Sequence, residues 1–481
     1  MKNTYLFPRF EILRDSTRCT GCRVCEKQCP QGVHRYDTPR KQLTADEKLC
    51  VNCQRCAAFC PTDAIKIIPA RCRFRENENW TDGALRAIRL QTQTSAVLLD
   101  SCGSERMVKD YFSHLILDAA QLISNPIDPV REPSSIRTQC GGLALSAPIM
   151  FAAMSFGSLS LNAHKALALA SQRLGICWNC GEGGLHPQLL EHADHTIVQV
   201  ASGRFGLSAE LLQQAAAIEI KLGQGGKPGI GGHLPGEKVT AAVAALRQIP
   251  IGTDAISPAA HYDIRTEDDM KQLICILRQL TENRKPILIK VAAVHHISQI
   301  ACAAARCGAD ILCIDGFHGG TGAAPSDIRD NVGIPLPLGL AAADTALRTE
   351  GLREHLAIIA SGSIRSAADV AKAIALGADA CSIGTAALVA MGCRQCRACH
   401  SGRCAWGIAT QDTALEARLD AEEAADNLVN LVTSWNHSLA ELLGCLGMAS
   451  IAELRGNRDA LRGMGLTQIE LDTLGVRHAG Q

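Results

Sequence analysis

Thiols set at short, regular intervals are the first chemistry in this sequence. Cys19, Cys22, Cys25 and Cys29 precede Pro30, and Cys50, Cys53, Cys56 and Cys60 precede Pro61. Both runs read C-x2-C-x2-C-x3-C-P, a spacing in which three thiolates wrap one iron–sulfur cluster while the fourth crosses to a second. The implied sets are Cys19, Cys22, Cys25 and Cys60 for one [4Fe-4S] cluster and Cys50, Cys53, Cys56 and Cys29 for another. Zinc sites use separated ligand pairs and fit this spacing poorly. A third run, Cys393, Cys396, Cys399 and Cys404, reads as a further iron–sulfur centre, [4Fe-4S] on all four thiols or [3Fe-4S] on three. A chain so equipped moves single electrons. Cys177 and Cys180 are different: three apart on a predicted strand, they face opposite sides and read as small buried apolar residues.

Further chemistry is expected where glycines and charges follow short apolar runs. In order these positions are Met154 and Ser155, Glu182, Ser202 and Arg204, then Lys221, Gln224 and Lys227. Lys290 follows, then Asp315 with the loop of Gly319, Gly320 and Thr321, and last Ser361, Gly362, Ser363, Gly384 and Thr385. Gly362 and Ser363, with Gly384 and Thr385, past the last two runs, suit a phosphate, because glycine lets backbone N–H groups approach an anion; ordinary tight turns are the plainer alternative. Lys290 places a cation inside an apolar run, which suits the negative charge of a reduced flavin or a lysine snorkelling at a rim. Arg204, Lys221 and Lys227 together match a dicarboxylate, though each alone reads as a surface charge. Glu182, in GEGG, is placed to orient a nitrogen group or is a plain loop acid.

The elements that must position these groups are eight apolar runs: 147–153, 176–181, 196–202, 216–223, 287–293, 311–317, 357–363 and 380–386. Most are followed by alanine-rich helical patterns. Continuous apolar strands alternating with helices indicate a parallel sheet covered on its outer face. Eight such units close into an α/β (β/α)8 TIM barrel, with a doubly wound open sheet as the other solution. The expected organisation is a cluster-binding module at 10–70, a bridging segment at 71–145, the barrel at 146–411 and a short helical tail at 412–481. An insertion at 224–286 holds a glycine-rich loop and two helical patterns.

Lys plus Arg equals Asp plus Glu at 48 each, and only 4% of residues are aromatic. Such a chain offers neither the field nor the stacking surfaces that nucleic acid requires. The start, MKNTYLFPRFEILRD, lacks a signal-peptide core, and no apolar run reaches the ~18 residues of a membrane span. Cysteine-rich and without an export signal, the protein reads as cytoplasmic.

Longer motifs then line up in order: MSFGSLS (154–160), NCGEGG (179–184), QVASGRFG (199–206) and IKLGQGGKPGIGGHLPG (220–236). They continue with GTDAISPAAHYDI (252–264), GGTGAAP (319–325), SIGTAALVAMGC (382–393) and CAWGIATQ (404–411). Over essentially its whole length the chain resembles the FMN-binding glutamate synthase family, in the archaeal-type arrangement whose central subunit carries its own ferredoxin-like 2[4Fe-4S] domain. The resemblance implies FMN, with Lys290 at the flavin's N1 side, and two [4Fe-4S] clusters. It implies a third iron–sulfur cluster on Cys393, Cys399 and Cys404, with Cys396 as an extra thiol that keeps [4Fe-4S] open beside [3Fe-4S]. It also implies reductive amination of 2-oxoglutarate through 2-iminoglutarate held by Arg204, Lys221 and Lys227. The implied partners are a separate glutaminase subunit, a glycine-repeat β-helix subunit and an electron-donor flavoprotein reductase or ferredoxin.

No GxGxxG follows a predicted strand, so NADPH is not expected to bind this chain. The family's substrate loop KPGEGGQLPG is altered at Ile230 and His233, and its SPPPHHDI reads Ser257-Pro258-Ala259-Ala260-His261-Tyr262-Asp263-Ile264 here. The altered loop leaves room for an N-alkylglutamate synthase. An electron-relay subunit of a larger redox complex is the reading from another class.

Overall fold

The computed structural model describes residues 9–39, 42–70, 81–94, 97–104, 108–122 and 124–481. The first eight residues, part of the segment tested for an export signal, and 71–80 of the bridging segment lie outside the described residues. All eight expected strands form: β1 (Ile149–Phe151), β2 (Trp178–Asn179), β3 (Thr196–Val200), β4 (Ala217–Lys221), β5 (Ile287–Ala292), β6 (Ile311–Asp315), β7 (Ala357–Ser361) and β8 (Ala380–Ile383). They are parallel and close into a barrel, sealed where Ile383 of β8 pairs with Phe151 of β1. The open-sheet alternative is therefore excluded.

Register follows from the pattern. Lys221 lies opposite Lys290, and Asp315, two residues beyond the partner of Lys290, lies opposite Ser361, so polar groups of neighbouring strands gather toward one end. One step back along the strands, Met150, Cys177, Ile197, Ala217, Leu288, Ile311, Cys313, Ile359 and Ala380 fill the interior. A hairpin of Thr138–Cys140 and Leu143–Leu145 closes that end, adding Cys140, Leu143 and Leu145 to the same core. The barrel is thus a plugged cup whose open mouth carries the polar groups.

Barrel helices begin where the sequence supplies caps. Ser160 accepts from the Ala163 N–H at the start of Leu161–Leu174, and Thr266 with Asp269 forms a capping box for Glu267–Leu280. Ala241–Arg247 and Glu267–Leu280 are the two helices of the insertion. In the C-terminal stretch, Ala421–Leu446 packs along Leu161–Leu174 through Leu428, Val432, Trp435, Leu439 and Leu443, spaced as one helical stripe. Beyond it, Leu461–Gly463 pairs with Arg477–His478 and with Leu115–Leu117 of the bridging segment. These strands of two or three residues carry no periodicity, and the sequence reading of that end as helical passes over them.

The cysteine-rich module is built twice over. Phe10–Arg14 pairs with Ile65–Pro69 and His34–Asp37 with Gln42–Ala45, and short helices Val24–Gln28 and Arg55–Ala58 follow each C-x2-C. Arg23 and Gln54, at φ 62 and φ 61, hold the same left-handed corner in each copy.

Candidate active site

A cavity of about 960 Å³ occupies the barrel mouth. Its wall includes Met154, Ser155, Glu182, Lys221, Gln224, Lys227, Lys290, Gly320, Thr321, Ser361, Gly362, Ser363, Gly384 and Thr385, and it runs on to Cys393, Cys396, Cys399 and Cys404. Residues scattered over 250 positions of sequence therefore share one space because they follow successive parallel strands.

Lys290 forms the floor. Its Nζ lies 3.9 Å from Oδ2 of Asp315, and both side chains are buried. Burial alone would pull the ammonium toward neutrality, but the carboxylate of Asp315, with Cys313 and Glu219 behind it, outweighs this and holds its pKa above the ordinary lysine value. Asp315 Oδ2 also accepts from the Gly225 N–H at 2.8 Å, fastening the glycine-rich loop to the floor. Only glycine fits there, since a Cβ on Gly225 would sit 1.9 Å from the Gly316 carbonyl oxygen. Below this level, buried Glu219 accepts from Asn179 Nδ2 at 2.8 Å and Gln199 Nε2 at 2.7 Å.

One wall is a charge cluster. Lys221 Nζ stands 3.5 Å from Glu182 Oε2, and the Ser257 hydroxyl donates to Glu182 Oε1. Burial would raise the Glu182 pKa, but Lys221, Ser257, Arg247 and Lys227 together hold it below the usual carboxylate value. Lys227 donates to the Ala323 carbonyl at 3.0 Å. Burial first, and repulsion from Lys221 second, push Lys227 down to about 7 against the pull of Glu182. His233 lines the same wall and pairs with Asp254 at 3.0 Å.

The opposite wall is a backbone cradle. Gly362 and Ser363 take φ 95 and φ 63, a sharp left-handed corner just past β7. Gly320 lies so close to Thr385 that a Cβ on it would reach the threonine hydroxyl at 3.2 Å. Nearby, the His164 Nε2–H donates to the Met154 carbonyl at 2.9 Å, which fixes the loop after β1. Glycine corners of this kind beside a buried cation are the donor set a flavin phosphate and a reduced ring require, so the residues present fit FMN.

Three expected site residues stand outside the cavity. Ser202 donates to the Pro258 carbonyl, and Gly319 turns onto Asp315. Arg204 gives Nη2 to both oxygens of Asp263, at 2.8 and 2.9 Å, and to His261 Nδ1 at 3.1 Å. His261 Nε2 then donates to the Lys221 carbonyl at 2.8 Å. With its charge met by Asp263, Arg204 braces the end of β4 and does not face the cavity.

The loop after β8 brings four thiols to the far end of the cavity. Burial pushes Cys393 up to about 11 and raises Cys396 further above the ordinary thiol value. Cys399 is hydrogen-bonded to Cys102, a fifth thiol lining the same space, and this contact, with burial, holds its pKa well above the thiol range. Nothing in the spacing of the sequence singles out Cys102. Lys238 is the other unforeseen neighbour: burial pushes it down to about 8, against the pull of Cys399 and Cys404. Among the described residues no three His, Cys, Asp or Glu groups converge on one ion. A cluster needs no such point, because each iron takes its own thiolate; a loop of four half-buried cysteines fits it. In the N-terminal module Cys29 falls beside Cys50, Cys53 and Cys56, the crossed arrangement that the spacing implies. No helix among the described residues is long and apolar enough to cross a membrane.

Comparison with known proteins agrees with this geometry. Residues 83–449 match the conserved region in glutamate synthase, and residues 18–64 match a 4Fe-4S dicluster domain. The chain is 47% identical to the archaeal glutamate synthase [NADPH] of Archaeoglobus fulgidus, over 100% of this chain and 99% of that one. It is 48% identical to the Methanocaldococcus jannaschii protein of the same name, over 99% of each. The large chain of glutamate synthase [NADPH] from Azospirillum brasilense is 37% identical over 73% of this chain, which spans 23% of that larger protein. A solved mandelate oxidase is similar at a TM-score of 0.48 and 16% identity, over 74% of this chain and 91% of that one. The chain belongs to the glutamate synthase family.

Proposed function

We propose that this chain is the synthase unit of an archaeal-type glutamate synthase, making glutamate from 2-oxoglutarate and ammonia with electrons delivered through iron–sulfur clusters. The observation that carries the reading is one continuous cavity joining Lys290, the Glu182–Lys221–Lys227 cluster and the four-cysteine loop. Lys290, the corner at Ser361, Gly362 and Ser363, and Gly384 with Thr385 would hold FMN. When bound, FMN supplies a hydride to the imine carbon and accepts electrons one at a time.

The chain's own residues do the rest. Lys221 and Lys227 bind the carboxylates of 2-oxoglutarate, with Gln224 beside them. Glu182, held ionised by Lys221 and Ser257, accepts hydrogen bonds from ammonia and from the imine nitrogen, orienting the imine carbon. Asp315 keeps Lys290 charged and in place. Arg204 serves through His261, positioning Lys221. Cys19, Cys22, Cys25 and Cys60, then Cys50, Cys53, Cys56 and Cys29, hold two [4Fe-4S] clusters, and the Cys393–Cys404 loop holds the third centre. Residues 10–70 are the electron-input domain, 146–411 the catalytic barrel and 412–481 the packed tail, joined through 71–145. The named relatives use NADPH; here a flavoprotein reductase or ferredoxin partner would hand on its electrons, and a glutaminase subunit would supply ammonia.

The test is anaerobic purification of the full chain, with iron, sulfide and flavin counts, followed by glutamate formation from 2-oxoglutarate and ammonia with reduced methyl viologen. Flavin-loaded protein whose spectrum ignores 2-oxoglutarate and which forms no glutamate would establish the relay reading instead. His233, facing the cavity where the family has glutamine, favours one second reading, an alkylamine donor. Faster turnover with methylamine than with ammonia would decide for it.

A further inference from the structure

Lys238 is a buried lysine whose charge no carboxylate balances. Its side chain is 2% exposed, and among the described residues no Asp or Glu pairs with it. Its Nζ donates to the Ser158 carbonyl at 2.7 Å and to the Cys399 carbonyl at 3.3 Å. Gly402 of the cysteine loop lies over its stem, where a Cβ would come within 3.1 Å of Lys238 Cγ. Cys399 and Cys404 are the acidic groups that act on it, pulling its pKa up against burial.

An ammonium withdrawn from water costs several kcal/mol unless a counter-charge meets it. Two carbonyl dipoles are a partial answer. A thiolate-ligated iron–sulfur cluster is a complete one, because it is anionic when oxidised and gains one further negative charge on reduction. A fixed cation beside it stabilises the reduced form more than the oxidised form, which raises the midpoint potential.

We infer that Lys238 is the built-in counter-ion of the cluster on the Cys393–Cys404 loop and raises that cluster's potential. The inference rests on reading that loop as a cluster site. Lys238 closes the glycine-rich substrate loop, and its Ser158 contact lies in the segment after Met154 and Ser155, so one ammonium ties substrate loop, flavin loop and cluster together. It does not line the cavity, and it is a positioning residue with an electrostatic task.

The experiment is an EPR-monitored redox titration of the anaerobically purified full chain, using dithionite and mediators, on wild type, Lys238→Met and Lys238→Arg. The third cluster is identified as the signal lost in Cys399→Ser. The expected result is a shift of that midpoint alone to more negative potential in Lys238→Met, with the wild-type value restored in Lys238→Arg. Loss of the cluster from Lys238→Met with retention in Lys238→Arg supports the same role. An unchanged midpoint in Lys238→Met, or loss of the cluster from both variants, overturns it. Absence of any Cys399-dependent signal in wild type would overturn the functional reading itself, so the two failures are distinguishable.

Discussion

Lys227 combines deep burial with the carboxylate-binding task proposed for it, and that task depends on its protonation state. Its pKa is pushed down to about 7, so the free enzyme loses this charge as pH rises through 7, far below the ordinary lysine value. A dicarboxylate prefers the charged form, so 2-oxoglutarate affinity should weaken with rising pH above about 7. Flavin-monitored binding titrations from pH 6 to 9 would show it, and Lys227→Met should flatten the profile. The same variant should raise KM for 2-oxoglutarate roughly 10- to 100-fold with a smaller effect on kcat, since a charge-assisted hydrogen bond is worth about 1.5–3 kcal/mol. A KM that ignores Lys227→Met would remove it from the substrate site. Lys221, Lys227 and Lys290 were legible only as a set, because each alone reads as a surface or rim charge: Lys221 ends one apolar strand, Lys290 interrupts another and Lys227 stands in the glycine-rich loop between. The orientation of Arg204 was not, since its partner Asp263 lies in an insertion whose path no local pattern specifies. Cys102 and Lys238 escaped for the same reason: each matters through a neighbour hundreds of positions, or a whole loop, away.

At the scale of elements, the barrel strands and the glycine-rich loop depend on different physics. Strands buried on both faces are apolar at most positions, which is why all eight show in the sequence, while the short pairings of the C-terminal stretch leave no such trace. The loop is held by close backbone approach. Gly225→Ala would force a methyl against the Gly316 carbonyl and cost about 1–3 kcal/mol. It should also loosen FMN, because the Gly225 N–H braces Asp315 and so Lys290. Thermal melts with flavin-to-protein ratios check both, and retention of full flavin content would confine the effect to stability. The long helix Ala421–Leu446 gives the contrasting case. Leu439 is fully buried in its contact stripe, so Leu439→Ala should cost about 2–5 kcal/mol in denaturant melts. It does not line the cavity, and flavin content per folded molecule should hold.

Across the whole molecule, the arrangement of thiols supports the electron path proposed for it. The N-terminal module meets the barrel along one seam. Gln31 Nε2 donates to the Arg403 carbonyl at 3.2 Å, Arg418 Nη1 to the Gln28 carbonyl at 3.1 Å, and Trp406 Nε1 to the Cys53 carbonyl at 2.9 Å. Cys53 faces Cys404 and Cys396 across that seam, so the set containing Cys29 adjoins the four-cysteine loop. Cys22, of the other set, is exposed. Electrons would then enter at the cluster of Cys19, Cys22, Cys25 and Cys60, cross to its neighbour, and pass the seam beside Trp406 into the cavity. Trp406 is the pin: its ring stacks with the guanidinium groups of Arg55 and Arg394, at 5.0 and 5.1 Å, and packs near Phe59. Trp406→Ala removes the hydrogen bond to the Cys53 backbone and both cation–π contacts, which loosens the seam while leaving every proposed ligand thiol in the sequence. Stopped-flow reduction should therefore show flavin bleaching slowed several-fold while N-terminal cluster reduction, iron content and flavin content stay as in wild type. If flavin reduction keeps its wild-type rate in Trp406→Ala, electrons cross from the N-terminal module by some route other than this seam.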